Sequence, residues 1–222
     1  FSTMKKLSVL LLLCCLALLP LTGCQSGGQD TEQDAQQPAV SPLAQLPETR
    51  DSVILIEGME ETVSLQKAMH QDFYALYYDP QSLLYAPGEV LEDGSFTDVF
   101  LSVYDDETTE VPTTLTISYT PDITPEDWAA SVENTQWAPL RAVYDSTFGG
   151  TWQATDSTEL LSETAFQHWD GTNLFVQNDC YTAPFRHGCL AIAISHPNTT
   201  EYAEGWGVRL GAAVHTLVLA AE

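Results

Sequence analysis

An apolar run near the N-terminus decides which part of this 222-residue chain can fold in water. Lys5 and Lys6 precede an almost uninterrupted apolar stretch from Leu7 to Leu21. A positive start followed by roughly 7–15 apolar residues is typical of a secretory signal peptide, whereas a membrane-spanning helix needs about 20. The three residues before Met4 are interpreted as an artefact of the start site. We therefore expect residues 1–23 to be a signal peptide that directs export.

A cysteine follows this run in a specific context. Leu21, Thr22 and Gly23 lead directly into Cys24. The pattern resembles the lipobox of bacterial lipoproteins, in which the cysteine sulfur receives a diacylglycerol and the signal is cut just before it. The resemblance implies that the lipid bilayer is a partner, reached through acylated Cys24 on the extracytoplasmic face of the cell membrane. Two acyl chains hold a protein there, since each buried methylene contributes about 0.8 kcal/mol. The alternative is a plain secreted protein with an incidental cysteine.

The segment after Cys24 predicts a tether rather than a fold. Residues 24–49 are rich in Gln, Gly, Asp, Ser and Pro and poor in large apolar side chains. Such a segment buries too little surface to offset the entropy lost on ordering. Residues 50–222 suit a single globular domain with its own core.

The charge balance of the chain excludes some partners. It has 7 basic and 31 acidic residues, and both lysines of the signal leave with it. A surface with so few basic groups repels nucleic acid and anionic lipid headgroups. The acidity favours a solvated exterior surface, and attraction to cationic partners or divalent metal ions is the alternative.

Hydrophobic patterning predicts an α+β domain. Alternating or aliphatic runs predict strands, followed by a helix that begins at Thr124 and Pro125. Asp170-Gly171 indicates a hairpin turn, and residues 198–219 carry a broad apolar stripe at helical spacing. The predicted strands are Val53–Ile56, Glu61–Met69, Phe73–Tyr78, Asp98–Tyr104, Thr113–Tyr119, Phe166–Trp169, Asn173–Gln177 and Leu190–Ser195, with one or two more in Thr151–Leu161. This order predicts a mostly antiparallel sheet with one internal helix and a C-terminal helix packed on it.

Three segments carry a further resemblance. Residues 73–80 run from aromatic residues into Asp79-Pro80, residues 124–128 read Thr-Pro-Glu-Asp-Trp, and a long helix closes the chain. This layout resembles the PsbP/Mog1-type fold found in small exported bacterial lipoproteins. The tryptophan that often follows the first proline in that family is absent, and Gln81-Ser82-Leu83-Leu84 stands there instead. The resemblance implies a binding or assembly role, because members are largely non-enzymatic.

Two cysteines remain after the signal and the lipid site are set aside. Cys180 and Cys189 flank residues 181–188, which contain Pro184 and Gly188 and predict a hairpin loop. Exported domains commonly pair such cysteines, and positions at the base of a hairpin can meet the required separation. We expect a structural disulfide, with a free buried pair as the alternative.

No catalytic or metal-binding motif stands out. The histidines show no His-Glu-x-x-His spacing, and the chain has no Gly-x-Ser-x-Gly elbow, phosphate loop or calcium loop. A close His–acid pair in the sequence is in His168-Trp169-Asp170, before the predicted turn. No cofactor, metal or catalytic residue is predicted. The five histidines are His70, His168, His187, His196 and His215.

Tryptophans offer the one candidate binding surface. Trp128 and Trp206 lie on apolar helix faces and are interpreted as core, whereas Trp137, Trp152 and Trp169 could line a groove for a sugar or peptide. The first hypothesis is therefore a membrane-anchored, non-catalytic domain that binds an envelope protein or a small ligand. The alternatives are an envelope hydrolase with an unrecognised carboxylate site and a structural lipoprotein without a discrete site.

Overall fold

Two antiparallel sheets make up most of this computed structural model, which describes residues 41–106, 109–132, 152–172 and 174–221. All of these residues belong to one compact unit, 40–222. The predicted lipidation site Cys24 and the predicted groove residue Trp137 lie outside the described residues. The described segments contain no helix long and apolar enough to cross a bilayer.

The smaller sheet has the strand order β1-β2-β3-β11. A two-residue turn joins its first two strands, and Glu57 and Gly58 both have positive φ there, at 49° and 78°. This conformation matches the right-handed twist of a hairpin and favours glycine. The four strands are β1 (Thr49–Ile56), β2 (Met59–His70), β3 (Tyr74–Tyr78) and β11 (Val218–Leu219).

The larger sheet has seven strands in the order β4-β5-β6-β10-β9-β8-β7, and all its pairs are antiparallel. Its central strand, β10, is buried along nearly its whole length because both faces of the sheet are covered there. The strands are β4 (Leu83–Ala86), β5 (Phe96–Ser102), β6 (Thr114–Pro121), β7 (Gln153–Leu161), β8 (Thr164–Asp170), β9 (Val176–Phe185) and β10 (Gly188–Pro197).

Helices are few. A short 3₁₀ helix covers Pro42–Gln45, and α1 covers Pro125–Val132. The chain closes with α2 (Thr200–Tyr202), a π-helical turn (Ala203–Gly207) and α3 (Val208–Val214), which are continuous and are together called the C-terminal helix.

The caps of α1 and the C-terminal helix follow simple hydrogen-bonding rules. The hydroxyl of Thr124 accepts from the amide of Asp127 at 3.1 Å, as the sequence predicts. At the second helix the cap is Thr199 rather than Asn198, and its hydroxyl accepts from the amide of Tyr202. The predicted helix over 198–219 therefore begins slightly later, and it ends at Val214, before strand β11.

Three apolar clusters hold these elements together. The largest lies between one face of the large sheet, strands β2 and β3, and the C-terminal helix, and it includes Tyr74, Phe100, Ile192 and Leu210. The second lies on the opposite face of the large sheet, under α1. The third joins β1, β2 and β3 to Ala212. The α+β fold with mostly antiparallel sheets is thus confirmed.

Two sequence predictions about boundaries need correction. The predicted tether over 24–49 overlaps the folded unit, because Leu43 is buried and the carbonyl of Pro47 accepts from the Tyr77 hydroxyl at 2.7 Å. Strand β9 covers most of the predicted loop 181–188, so only Arg186 and His187 remain as the turn. Strand β4 was not predicted.

The predicted disulfide between Cys180 and Cys189 is wrong for the folded domain. Both thiols are free and buried. Cys180 pairs with Ala193 and Cys189 pairs with Pro184, so the two cysteines are offset by four positions along the β9–β10 ladder. That offset places them roughly 13 Å apart, whereas a disulfide needs Cα atoms within about 7 Å.

Candidate functional site

The predicted tryptophan groove does not form from Trp152 and Trp169. Trp169 is buried and its indole N–H donates to the hydroxyl of Thr182 at 2.6 Å. Trp152 is half-buried and packs into the same cluster under α1. Trp137 lies outside the described residues. These indoles therefore stabilise the core beneath α1 rather than presenting an open face.

A buried carboxylate organises the first polar cluster of the domain. Asp98 on β5 is fully buried. Its oxygens accept from the hydroxyls of Tyr74 and Tyr85, the latter at 3.0 Å. They also lie 2.9 and 3.1 Å from Nδ1 of His70 and accept from the amide of Gly88 at 2.8 Å. Five polar contacts therefore compensate for the loss of water around this acid.

The residues packed around Asp98 explain why it is isolated from solvent. His70 stacks on Phe96 with 3.7 Å between ring centroids, and its Nε2 is buried without a partner. Gly88 contacts β5 so closely that an added Cβ would lie 2.1 Å from the carbonyl oxygen of Thr97. Burial, and then the negative charge of Asp98, raise the pKa of Tyr74 and of Tyr85. The cluster has the features of a structural anchor.

A second histidine–carboxylate cluster lies near the surface on β7, β8 and β9. Nε2 of His168 lies 2.7 Å from Oδ1 of Asp179, and Nδ1 lies 2.9 Å from the hydroxyl of Ser157. The hydroxyl of Thr155 is 3.1 Å from the same Nδ1. The side-chain amide of Gln177 donates to Oδ2 of Asp179 at 2.8 Å. The structure thus pairs His168 with Asp179, and not with Asp170, its neighbour in sequence.

An irregularity in β7 creates this second cluster. Ala154 pairs with Trp169 and Thr158 pairs with Gln167, so three residues of β7 oppose only His168. Such a bulge bends the strand and places three residues opposite one partner, so two side chains that are two positions apart can reach the same neighbour. It therefore brings Thr155 and Ser157 to one ring.

An open cleft lies beside the π-helical turn. Its volume is about 280 Å³, close to the lower end of the range for small-molecule sites, roughly 300–1,000 Å³. The rings of Tyr104 and Trp206 meet edge to face, with 6.1 Å between their centroids. π-Helical turns occur often at functional sites. The cleft is lined by Ser82, Tyr104, Glu201, Tyr202, Gly205, Trp206 and Arg209.

The cleft contains an arginine that is already paired. Arg209 donates to Glu61 at 2.9 Å and to Asp79 at 3.3 Å. Asp79 also accepts from the hydroxyl of Ser82. Two carboxylates therefore contact the guanidinium, and Glu201 adds a third carboxylate to the lining of the cleft, so the acids in and beside the cleft outnumber its one arginine by two. The site is therefore poorly suited to an anion.

Sequence reasoning missed both surface sites for identifiable reasons. Tyr202, Trp206 and Arg209 recur at helical spacing, which could have predicted a shared face, but Trp206 was interpreted as core. Ser157 and Asp179 belong to different strands, and no local pattern indicates that they meet. Among the described residues no group of His, Cys, Asp and Glu has the arrangement of a metal site.

Comparisons with known proteins add a loose likeness of fold. No protein-family model matches the chain, and no curated protein matches it. Among solved structures the chain is similar to the solution structure of cyanobacterial PsbP (CyanoP) from Synechocystis sp. PCC 6803. The two are 14% identical with a TM-score of 0.42, over 70% of this chain and 92% of that one.

Proposed function

We propose that this protein is a lipid-anchored lipoprotein of the bacterial cell envelope whose domain binds a small organic cation in the cleft beside the π-helical turn. The observation that carries the binding proposal is an open cleft with two aromatic rings and the carboxylate of Glu201, in which the one arginine is already paired with two acids. The lipobox-like sequence ending in Cys24 supports the anchor, because acylation there would hold the domain at the membrane surface.

The aromatic side chains favour a cation. Trp206 is half-buried and Tyr104 is 74% exposed, so their rings meet at the mouth of the cleft. The negative face of an aromatic ring attracts an ammonium group by about 0.5–2 kcal/mol, most strongly for tryptophan. A quaternary or primary ammonium group could lie against the indole.

Charge supports the same class of ligand. Arg209 is neutralised by Glu61 and Asp79, and Glu201 adds a further carboxylate at the rim. The whole chain has a net charge of −24, which attracts cations over longer distances. A neutral sugar would use the rings but would gain nothing from this field.

We propose binding rather than catalysis at this cleft. Ser82 is the only hydroxyl of the nucleophile type among the lining residues, and it donates to Asp79. The described lining residues include no histidine that could activate it. The cleft can therefore hold a ligand but lacks the groups for acyl transfer.

Choline and its neutral isostere 3,3-dimethylbutan-1-ol provide the direct test. We expect ligand-observed NMR and calorimetry to show that choline binds at least tenfold more tightly than the neutral isostere. A tenfold difference corresponds to about 1.4 kcal/mol, which lies within the range for an ammonium group against an aromatic ring. Trp206→Leu is expected to abolish this preference and Trp206→Phe to keep most of it. Equal binding of both probes, or no binding of either, would overturn the proposal of a cation site.

A matched pair of charge variants separates local from general electrostatics. Glu201→Gln is expected to weaken choline binding severalfold, because it removes a carboxylate from the rim of the cleft. Glu163→Gln removes the same charge from the turn between β7 and β8 and is expected to leave binding unchanged. Equal effects of the two variants would mean that only the overall charge matters.

The anchor has its own test. Cys24→Ala is expected to release the domain from membranes or to leave an uncleaved precursor. Incorporation of radiolabelled palmitate into the wild-type protein, and not into the variant, is the corresponding measurement. A mature N-terminus at another residue, found by mass spectrometry, would contradict the lipoprotein assignment.

A further inference from the structure

We propose that Ser157, His168 and Asp179 form a nucleophilic site that hydrolyses small unhindered esters, separate from the cation cleft. The three side chains make a continuous hydrogen-bonded relay, with 2.9 Å from the serine oxygen to Nδ1 and 2.7 Å from Nε2 to the carboxylate. Nucleophile, base and orienting group within hydrogen-bond reach are the signature of covalent catalysis, whatever their order in the chain.

The carboxylate sets the tautomer of the ring. An ionised carboxylate only accepts hydrogen bonds, so in a neutral imidazole the proton must be on Nε2, facing Asp179. Nδ1 then carries the lone pair, and it faces the hydroxyl of Ser157 at 2.9 Å and that of Thr155 at 3.1 Å. Thr155 also donates to the backbone carbonyl of His168 at 3.3 Å, so Nδ1 can accept from the nearer serine, as a general base requires. The roles of the two ring nitrogens are the reverse of those in the trypsin-type relay, but the chemistry is equivalent.

Neighbouring groups hold the relay in place. Tyr181 stacks under the imidazole with 4.9 Å between centroids and an interplanar angle of 24°. The side-chain amide of Gln177 donates to the second oxygen of Asp179. Gln167 donates to the backbone carbonyls of Thr155 and His168, at 2.9 and 2.8 Å, which joins the bulge of β7 to β8. Preorganisation of this kind is what a catalytic site needs.

Exposure to solvent distinguishes this relay from the buried pair of His70 and Asp98. Ser157 is exposed, and the side chains of His168 and Asp179 are 17% and 23% exposed. A substrate can therefore reach the serine oxygen. The acids near the serine, Asp156 and Glu159, disfavour anionic substrates, and the open position on a strand favours small acyl groups.

The reaction balances without any co-reactant besides water. The oxygen of Ser157 attacks the ester carbonyl while its proton passes to Nδ1 of His168. The alcohol leaves with that proton as the carbon–oxygen bond breaks, and an acyl-serine forms. Water then attacks the acyl group, gives a proton to Nδ1, and the carboxylic acid departs as the proton returns to the serine oxygen.

Hydrolysis of 4-nitrophenyl acetate and labelling with a fluorophosphonate probe test the site on the mature protein. We expect Ser157→Ala and His168→Ala to lower kcat/KM at least 100-fold, the lower limit for loss of general-base catalysis. Mass spectrometry is expected to find the phosphonyl group on Ser157. Ser95→Ala and His215→Gln, which remove a half-buried serine and an exposed histidine elsewhere, are expected to keep the wild-type rate.

Asp179→Asn tests the positioning role of the carboxylate. An amide can donate to Nε2, which favours the tautomer with the proton on Nδ1, so we expect kcat to fall at least tenfold with KM and the unfolding midpoint unchanged. The proposal is overturned if Ser157→Ala hydrolyses the ester at the wild-type rate or if the probe labels another residue. It is also overturned if the wild-type protein neither hydrolyses the ester nor takes the label.

Discussion

Two histidine–aspartate pairs in this domain use the same residue types in opposite surroundings. Asp98 is fully buried and has two tyrosine hydroxyls, a histidine and a backbone amide around it. Asp179 is partly exposed, and its histidine continues to a surface serine. Burial, and not the identity of the pair, therefore distinguishes a structural anchor from a site that can contact a substrate.

The buried pair should dominate stability, which is the largest expected effect. Asp98→Ala leaves the hydroxyls of Tyr74 and Tyr85 and the ring of His70 without their acceptor in the core. We expect the free energy of unfolding to fall by about 3–5 kcal/mol. Asp179→Ala is expected to cost no more than about 1 kcal/mol, because water can replace the exposed partner. Urea denaturation measures both.

A milder variant keeps this comparison testable if Asp98→Ala does not fold. Tyr85→Phe removes one hydroxyl that donates to the carboxylate at 3.0 Å. Hydrogen bonds to charged groups contribute about 1.5–3 kcal/mol, so a loss in that range is expected. If Tyr85→Phe and Asp179→Ala destabilise equally, the distinction between the two pairs does not hold.

Raising the pH into the alkaline range is expected to lower the free energy of unfolding by an intermediate amount. Burial raises the pKa of Tyr74 and Tyr85 above the usual value of 10.0, so the folded state keeps phenol protons that the unfolded chain releases. The unfolded state binds fewer protons above about pH 10, and the free energy of unfolding therefore falls as pH rises.

The pH dependence of stability also measures the contribution of Tyr85 alone. Tyr85→Phe removes one of these groups, so its stability is expected to fall less steeply than that of the wild-type protein between about pH 9.5 and 11. Urea midpoints measured across this range, relative to each protein at pH 8, check the slope. Parallel curves for the two proteins would contradict the assignment.

Cys180 and Cys189 are buried groups that belong to neither the Asp98 network nor the Asp179 network. They are expected to give the smallest effect, a low reactivity of the native thiols. Burial raises the pKa of Cys180, and it raises that of Cys189 to about 12. The thiolate is the reactive form, so neither thiol is expected to react with a maleimide in the native protein at pH 7.5. Both are expected to label after unfolding without a reductant, and failure to label then would indicate a disulfide.

Local patterns in the sequence predicted much of the fold. Residues 61–69 alternate in polarity and lie in β2, and the Thr124-Pro125 start was confirmed at α1. Pro184 and Gly188 misled the prediction, because they usually mark a loop. Pro184 is tolerated in β9 because β8 stops pairing at Thr182, so no ladder bond is lost on that side.

Gly188 has a reason that no local pattern reveals. A Cβ there would lie 2.1 Å from the carbonyl oxygen of Thr120, so the glycine allows β10 to approach β6. The glycines of the C-terminal helix behave differently. A Cβ at Gly207 would lie 3.4 Å from His196, whereas Gly205 has nothing within 4 Å and lies in the π-helical turn that lines the cleft.

The α+β class, most strand positions, the acidic surface and the expectation of a lipid anchor at Cys24 follow from the sequence alone. These features depend on residue composition and on spacing over a few residues, which a linear pattern contains. Three outcomes depend on the folded structure: which histidine contacts which acid, the separation of Cys180 from Cys189, and the contact between Tyr104 and Trp206. The first two outcomes depend on strand register and on a bulge, because a shift of one residue in register would move each side chain to the other face. The third depends on where the C-terminal helix packs.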